Sequence, residues 1–287
     1  MQDEIVARLA GQLGTQLTVA EARRAERAPH PDSMDLYFQG MACMHMGPRP
    51  EHMTQARSFF ERALALDPRN VEALVGMGTV DWIIGSSFMT GDRAARFATA
   101  EASVTTTLSF VPDHAWAHLI LGAVKIYTNR IVQGIAECER ALVLNQNLAH
   151  AHGLIGNAKQ MVGRSEETEG HVNEALRLSP RDSMAYIWMV FAGLAKLHLA
   201  ADEEAVERFS RAVEMNPNFP FAHLALAAAL ANLARQEEAQ VAAKVGLALV
   251  PAFTISRYRA GVSSDNPVYL QKRERLIDGM RKAGVPE

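Results

Sequence analysis

The sequence predicts an all-α fold, a stack of helical hairpins built from one repeated unit. Three observations carry this. Four segments end alike: Arg62-Ala63-Leu64-Ala65-Leu66-Asp67-Pro68, Arg140-Ala141-Leu142-Val143-Leu144-Asn145-Gln146, Glu174-Ala175-Leu176-Arg177-Leu178-Ser179-Pro180 and Arg211-Ala212-Val213-Glu214-Met215-Asn216-Pro217. The interval is fixed, with 34 residues from Gln146 to Pro180 and again from Pro217 to Pro251. Ala, Leu and Met dominate while aromatics make up only 7%, which favours helix over strand. The endings are physical stops, because proline lacks an N–H and clashes with the preceding turn, and Asp-Pro or Asn-Pro then starts a turn.

A period of 34 residues closing on x-A-L-x-L-x-P resembles the tetratricopeptide repeat, a unit of helix A, turn and helix B. The resemblance implies a solenoid, since one unit cannot bury its apolar face alone, and it points to binding rather than catalysis. The repeat asks for small residues where its two helices cross: the eighth place on helix A and the twentieth and twenty-seventh on helix B. Residues 33–70 supply Gly40, Ala56 and Ala63, with Phe60 as the bulky residue between. Residues 71–114 supply Gly78, Ala100 and Thr107, with an insertion near Gly85–Ala94. Residues 115–148 supply Gly122, Gly134 and Ala141, and residues 149–182 supply Gly156, Thr168 and Ala175. Residues 183–219 are aligned with Val190 at the eighth place, then Ala205 and Ala212, with about three extra residues. Residues 220–253 supply Ala227, Ala239 and Gly246. Leu36-Tyr37-Phe38-Gln39-Gly40 resembles a protease site of expression tags, but Met34 stands where that site has Glu, and the stretch reads as a native first helix A.

Two flanks remain, and end repeats need covers. Residues 1–32 read as an N-terminal amphipathic helix, with Ile5, Leu9, Leu13 and Leu17 at helical spacing and a solvated end from Glu21 to Arg27. Residues 254–287 read as a basic capping segment, with Asn266-Pro267 opening a helix to about Lys282. That segment holds seven Lys or Arg against four acids, an excess suited to a solvated cap or to docking on an acidic surface.

The bulk numbers narrow the function. The chain has 287 residues, 48% hydrophobic and 21% charged, with a net charge of −3, so nothing draws it to nucleic acid or anionic lipid. No apolar run approaches the length that spans a bilayer. Met1-Gln2-Asp3-Glu4 is unlike a signal peptide. Cys43 and Cys138 form no redox or ligand motif, and a cytoplasmic protein with reduced thiols is expected. There is no Gly-rich phosphate loop, no G-x-S-x-G and no H-E-x-x-H, so no catalytic residue, cofactor or metal site is assigned. His114 and His118, and His150 and His152, have spacings that a metal could use, but no carboxylate or thiol completes a set, and packing is the expectation.

In such solenoids the second, fifth, ninth, twelfth and thirteenth places of helix A line the inner face. Read off, they give Tyr37 and Met41, then Trp82, Trp116 and Tyr127, then Asn157 and Met161, Met184 and Phe191, and Phe221. This is a candidate groove of aromatic and methionine side chains, the composition of permissive helix- and peptide-binding surfaces. Chaperone-binding members of the repeat family hold a C-terminal carboxylate with Lys, Arg and Asn. Here only Asn157 fits that pattern, which argues against capture of an acidic chain end.

Four further stretches carry a narrower resemblance: Leu66-Asp67-Pro68-Arg69-Asn70-Val71-Glu72-Ala73, Leu178-Ser179-Pro180-Arg181-Asp182, Asn216-Pro217-Asn218-Phe219-Pro220-Phe221, and Met280-Arg281-Lys282-Ala283-Gly284-Val285-Pro286-Glu287. They resemble the C-terminal repeat region of multidomain bacterial proteins with an N-terminal adenylate or guanylate cyclase domain, and Gln2-Asp3-Glu4-Ile5 resembles the junction before those repeats. The resemblance implies a fragment of a longer signalling protein, with no cyclase residue carried over. The expected function is therefore a non-catalytic module binding a protein or peptide, its own upstream domain included. The alternative is an oligomerisation scaffold or homodimer, held through the N-terminal helix or the insertion at Gly85–Ala94.

Overall fold

The computed structural model describes residues 16–26, 28–47, 49–87 and 91–287, and among them no strand occurs. Ile5, Leu9 and Leu13 of the expected first helix, and residues 88–90 of the insertion, lie outside the described residues. The chain divides into two compact units, one through Ala151 and one from His152.

In the first unit, α1 covers residues 16–25. Then come the hairpins α2 (Ser33–His45) with α3 (Pro50–Leu66), α4 (Val71–Ser86) with α5 (Arg93–Phe110), and α6 (Ala115–Tyr127) with α7 (Ile131–Leu144). The unit boundary falls inside α8 (Ala149–Met161). In the second unit a 3₁₀ turn, Ser165–Glu167, leads into α9 (Thr168–Leu178). The hairpins α10 (Ala185–His198) with α11 (Asp202–Met215) and α12 (Pro220–Asn232) with α13 (Gln236–Leu249) follow, then α14 (Ile255–Ala260) and α15 (Pro267–Lys282).

Local chemistry explains the boundaries. Asp67, Asn145 and Asn216 each end a helix B and accept a hydrogen bond on Oδ1 from the backbone N–H two residues on, at 3.0, 3.0 and 3.1 Å. The side chain thus makes the turn, with or without a following proline: Pro68 and Pro217 follow two of the three, Gln146 the other. Asp32 caps α2 in a reciprocal capping box with Asp35, Asn70 caps α4, and Asn266 caps α15. Four helices A, α6, α8, α10 and α12, end in one way. Asn129, Gly163, Ala200 and Ala234 have φ of 60, 86, 59 and 59°, and the next N–H reaches back to the carbonyls of Lys125, Lys159, Lys196 and Leu230. This is the left-handed, six-to-one closure of a helix C-terminus.

The small residues stand where the helices touch. Ala56, Ala63, Ala100, Ala141, Ala175, Ala205, Ala212 and Ala239 have no exposed surface. A Cβ on Gly40 would lie 2.5 Å from the Phe60 ring, so Gly40 belongs to the crossing of α2 and α3. The register of α10 differs from the sequence reading. Gly193, not Val190, meets the helix-B phenylalanine, with a Cβ placed 2.5 Å from Phe209. Ala200, seven residues on, makes the left-handed turn. The extra residues therefore precede α10 instead of interrupting it. Met184 becomes the residue before the helix, where Asp182 accepts from its N–H at 2.9 Å.

The buried Asp81 charge of the first unit is paired through one of its oxygens. Asp81 has no exposed surface and its Oδ1 accepts from Arg57 at 3.2 Å and Arg96 at 2.8 Å, which offsets the cost of burying the charge. In α1, Ala22 and Ala25 are buried and Arg24 pairs with Asp35 at 2.8 Å, whereas Leu17 is 60% exposed. The contact face of α1 is thus its alanines, and the stretch after Glu21 is not solvated all round.

Candidate functional site

Within the first unit, α2, α4 and α6 are helices A and lie in sequence against one another. Tyr37, Met41, Trp82, Trp116 and Tyr127 stand on them, half-buried and packed on the unit's two apolar cores. Tyr37 lies 6.1 Å from Phe60, and Tyr127 stacks on Phe97 at 6.1 Å. The Trp116 indole donates to Thr79 Oγ1 at 3.2 Å and meets His150 edge-on at 5.2 Å. Trp82 Nε1 is buried without a hydrogen-bond partner.

Sequence reasoning passed over a polar line beside these rings. Glu72 faces Tyr37, and its Oε1 lies 3.6 Å from His114 Nε2. The contact with His114 holds the Glu72 carboxyl below its ordinary range. Burial, with Glu72 beside it, pushes the Tyr37 phenol up to about 12. Glu72 and Thr79 occupy the second and ninth places of α4, the very places that elsewhere gave Trp116 and Asn157. Their spacing alone carried the signal, but their role comes from partners on neighbouring helices.

Of the other five candidates, in the second unit, Asn157, Met161 and Phe191 are buried while Met184 and Phe221 are half-buried. Asn157 and Met161 are 6% and 4% exposed. The Asn157 amide donates to Met161 Sδ at 3.7 Å and accepts from Gln160 Nε2 at 3.0 Å. Ser264 donates to the Met161 carbonyl at 2.7 Å. Phe191 is a buried side chain of α10. Met184 Sδ receives the Tyr186 hydroxyl at 3.9 Å. Phe221 stacks on Tyr258 at 5.5 Å. The C-terminal segment covers part of this face: α15 packs on α12 and, less extensively, on α10. Four of its arginines are engaged within the chain: Arg275 with Asp202, Arg259 with Glu274, Arg281 with Asp278 and Glu287, and Arg273 with the Tyr258 carbonyl.

Three of the histidines are engaged within the fold. His118 Nε2 and His223 Nε2 contact the carbonyls of Pro112 and Pro217, each at 2.9 Å, and tie helix A to the preceding turn. His118 Nδ1 also meets Glu137 at 2.8 Å, and His114 Nδ1 caps α6. Among the described residues no group of three or more His, Cys, Asp or Glu could hold a metal. Cys43 and Cys138 are free and buried, and burial raises both thiols. No described helix is long and apolar enough to cross a membrane.

This arrangement of hairpins is the tetratricopeptide repeat fold, and comparison with solved structures agrees. A chain of the APC/C hetero-tetramer Cut9-Hcn1 superposes with a TM-score of 0.66 at 15% identity, covering 91% of this chain and 46% of that one. TTC0263, a thermophilic TPR protein of Thermus thermophilus, gives 0.55 at 18% identity, covering 69% and 98%. The human IFIT1 dimer with PPP-AAAA gives 0.66 at 17% identity, covering 88% and 63%. At these identities the likeness is one of fold. No family model matches the sequence. Among curated proteins, the chain is similar to the peroxisomal targeting signal receptor of Kluyveromyces lactis, 26% identical over 223 residues, 66% of this chain. The match spans 39% of that receptor's length.

Proposed function

We propose that the chain is a non-catalytic module that binds a protein or peptide, and that in the first unit the partner docks on the face of α2, α4 and α6. One observation carries this reading: Tyr37, Met41, Trp82, Trp116 and Tyr127 lie half-buried on adjoining helices A rather than inside the core. Aromatic rings held by packing bind at low entropic cost, and Met adapts its shape to the partner. Glu72, Tyr37 and His114 add a polar edge to fix a partner's register. The curated relative is named as a receptor for a targeting signal, in keeping with peptide capture. The resemblance to the repeat region of bacterial cyclases supports a regulatory part of a larger signalling protein, with its own upstream domain as one candidate partner. Two buried free thiols fit a reducing compartment, and the reading places the module in the cytoplasm, with neither nucleic acid nor membrane as its target.

The test is selection of ligands from a random peptide library on the wild-type chain, followed by titration of the Trp116→Ala variant. Trp116 should behave as an anchor, and its loss should weaken the selected peptides by roughly tenfold or more, about 1.4 kcal/mol or above. Equal affinity in a variant of unchanged helical content would remove this face from the account.

A second reading, a homodimer or scaffold, is favoured by α13. Val241, Val245 and Leu249 are 66, 40 and 39% exposed, four residues apart on one helix face. The equivalent places of α11 hold Glu207, Arg211 and Met215. If this stripe joins two copies, the mass in light scattering rises with concentration and Val241→Lys abolishes the rise. A constant monomer mass would exclude it.

A further inference from the structure

The place a ligand would take in the second unit is taken by the chain itself. After α14 the backbone returns to the end of α8, where Ser264 binds the Met161 carbonyl at 2.7 Å and Asn266 the Val162 carbonyl at 3.3 Å. From there α15 crosses α10 and α12. Tyr269 lies edge-on to His198 at 5.6 Å. Arg275 pairs with Asp202, and its carbonyl accepts from Asn232 at 3.3 Å. Gly279 rests on α12 so closely that a Cβ there would stand 2.5 Å from the Ala228 carbonyl oxygen and 2.8 Å from its Cα. Gln236 then bonds the Lys282 carbonyl at 2.6 Å. Met161, His198 and Asn232 are the thirteenth, and Ala228 the ninth, places of their helices A, which are inner-face places. A cap that merely extended the stack would lie beside α13, whereas α15 lies on α12 and α10.

We propose that the face of α10 and α12 is a helix-docking site held shut by α15, and that its external ligand is an amphipathic helix of the same pattern. Resting on the reading of the chain as a binding module, this defines the ligand's chemistry. The ligand carries an aromatic where Tyr269 stands, apolar residues where Leu276 and Met280 are buried, and a glycine where Gly279 meets Ala228. An arginine at the place of Arg275 answers Asp202, which is otherwise left as a buried carboxylate. These anchors follow the i, i+3, i+4, i+7 rule of helix-in-groove recognition. Because the resident helix competes intramolecularly, a free ligand binds weakly until α15 is loosened.

The probe is a fluorescein-labelled synthetic peptide of residues 262–287, titrated into the full chain and into its Gly279→Leu variant. The leucine cannot fit over the Ala228 backbone, so α15 should lift while its receiving face stays intact. Saturable binding to Gly279→Leu, at least about tenfold tighter than to the wild type, with no competition from the same peptide carrying Arg275→Glu, is the expected result. A folded Gly279→Leu chain that does not bind the peptide would overturn the proposal. Should that variant not fold, hydrogen exchange of the wild type decides: α15 amides exchanging as a block ahead of α12 support a displaceable helix, and exchange of both only on global unfolding refutes it. Trp116→Ala in the first unit should leave peptide binding unchanged, so a failure of the first-unit docking face and a failure of this site read out separately.

Discussion

Glycine shows how far a single atom reaches in this protein. Gly193 stands under the Phe209 ring with no room for a methyl group, whereas Gly170 on α9 has nothing within 4 Å of the place a Cβ would occupy. Gly193→Ala should therefore cost about 1–3 kcal/mol through overpacking. Gly170→Ala should gain up to about 1 kcal/mol by lowering the entropy of the unfolded chain. Urea denaturation of the two variants measures both, and equal effects would contradict the packing described. His198 gives a pH-dependent counterpart. Burial first, then Lys272 and Arg273, depress its pKa from 6.5 to about 4, and Ser165 contacts its Nδ1 at 3.2 Å. Above pH 6.5 the imidazole is neutral folded or unfolded. Between 6.5 and about 4 the unfolded chain takes a proton that the folded chain refuses, so stability falls as pH falls, by about 3 kcal/mol across the window. In His198→Asn that part of the decline should vanish. An unchanged slope between pH 6.5 and 5 would show that His198 is not its source.

At the scale of the element, the turn from helix A to helix B is the most regular feature and the one that exposes a strain. Ala200 and Ala234 adopt φ of 59° where Gly163 serves at the same place, a conformation costing a non-glycine residue on the order of 1 kcal/mol. Ala200→Gly and Ala234→Gly should each leave stability equal or raise it by a few tenths to about 1 kcal/mol, despite the added freedom of the unfolded chain. A clear loss of melting temperature in either would mean that the left-handed turn is not strained. The same turns show why the repeat was legible and one register was not. Spacing and terminal Pro, Asp and Asn fixed where helices B stop, because those residues act locally. In α10 the extra residues lay before the helix, and nothing local to Val190 could disclose that; only Gly193 meeting Phe209 does. The candidate groove divided for a related reason. Helical places said which side chains share a helix face, and on that ground Tyr37, Trp82 and Trp116 are proposed for one docking face. They could not say that α15 returns over α12 and α10, since that contact joins residues far apart in the chain. Nor did they weigh Glu72 and Thr79, whose part comes from Tyr37, His114 and Trp116 on neighbouring helices.

For the molecule, the two units differ in what their helices A offer. In the first, aromatic and methionine side chains with a Glu72 edge stand half-buried on α2, α4 and α6; in the second, Asn157, Met161 and Phe191 are buried and α15 packs on α12 and α10. A binding module of this kind should therefore respond to ligand first on the face of the first unit. The measurement that tests this most directly is hydrogen–deuterium exchange across the whole chain, with and without a peptide selected on the wild-type protein. The account predicts added protection in α2, α4 and α6, including the segments of Tyr37, Trp82 and Trp116, with α3, α5 and α7 little changed. Protection confined to helices B or to α13, with the first-unit helices A unaltered, would contradict it.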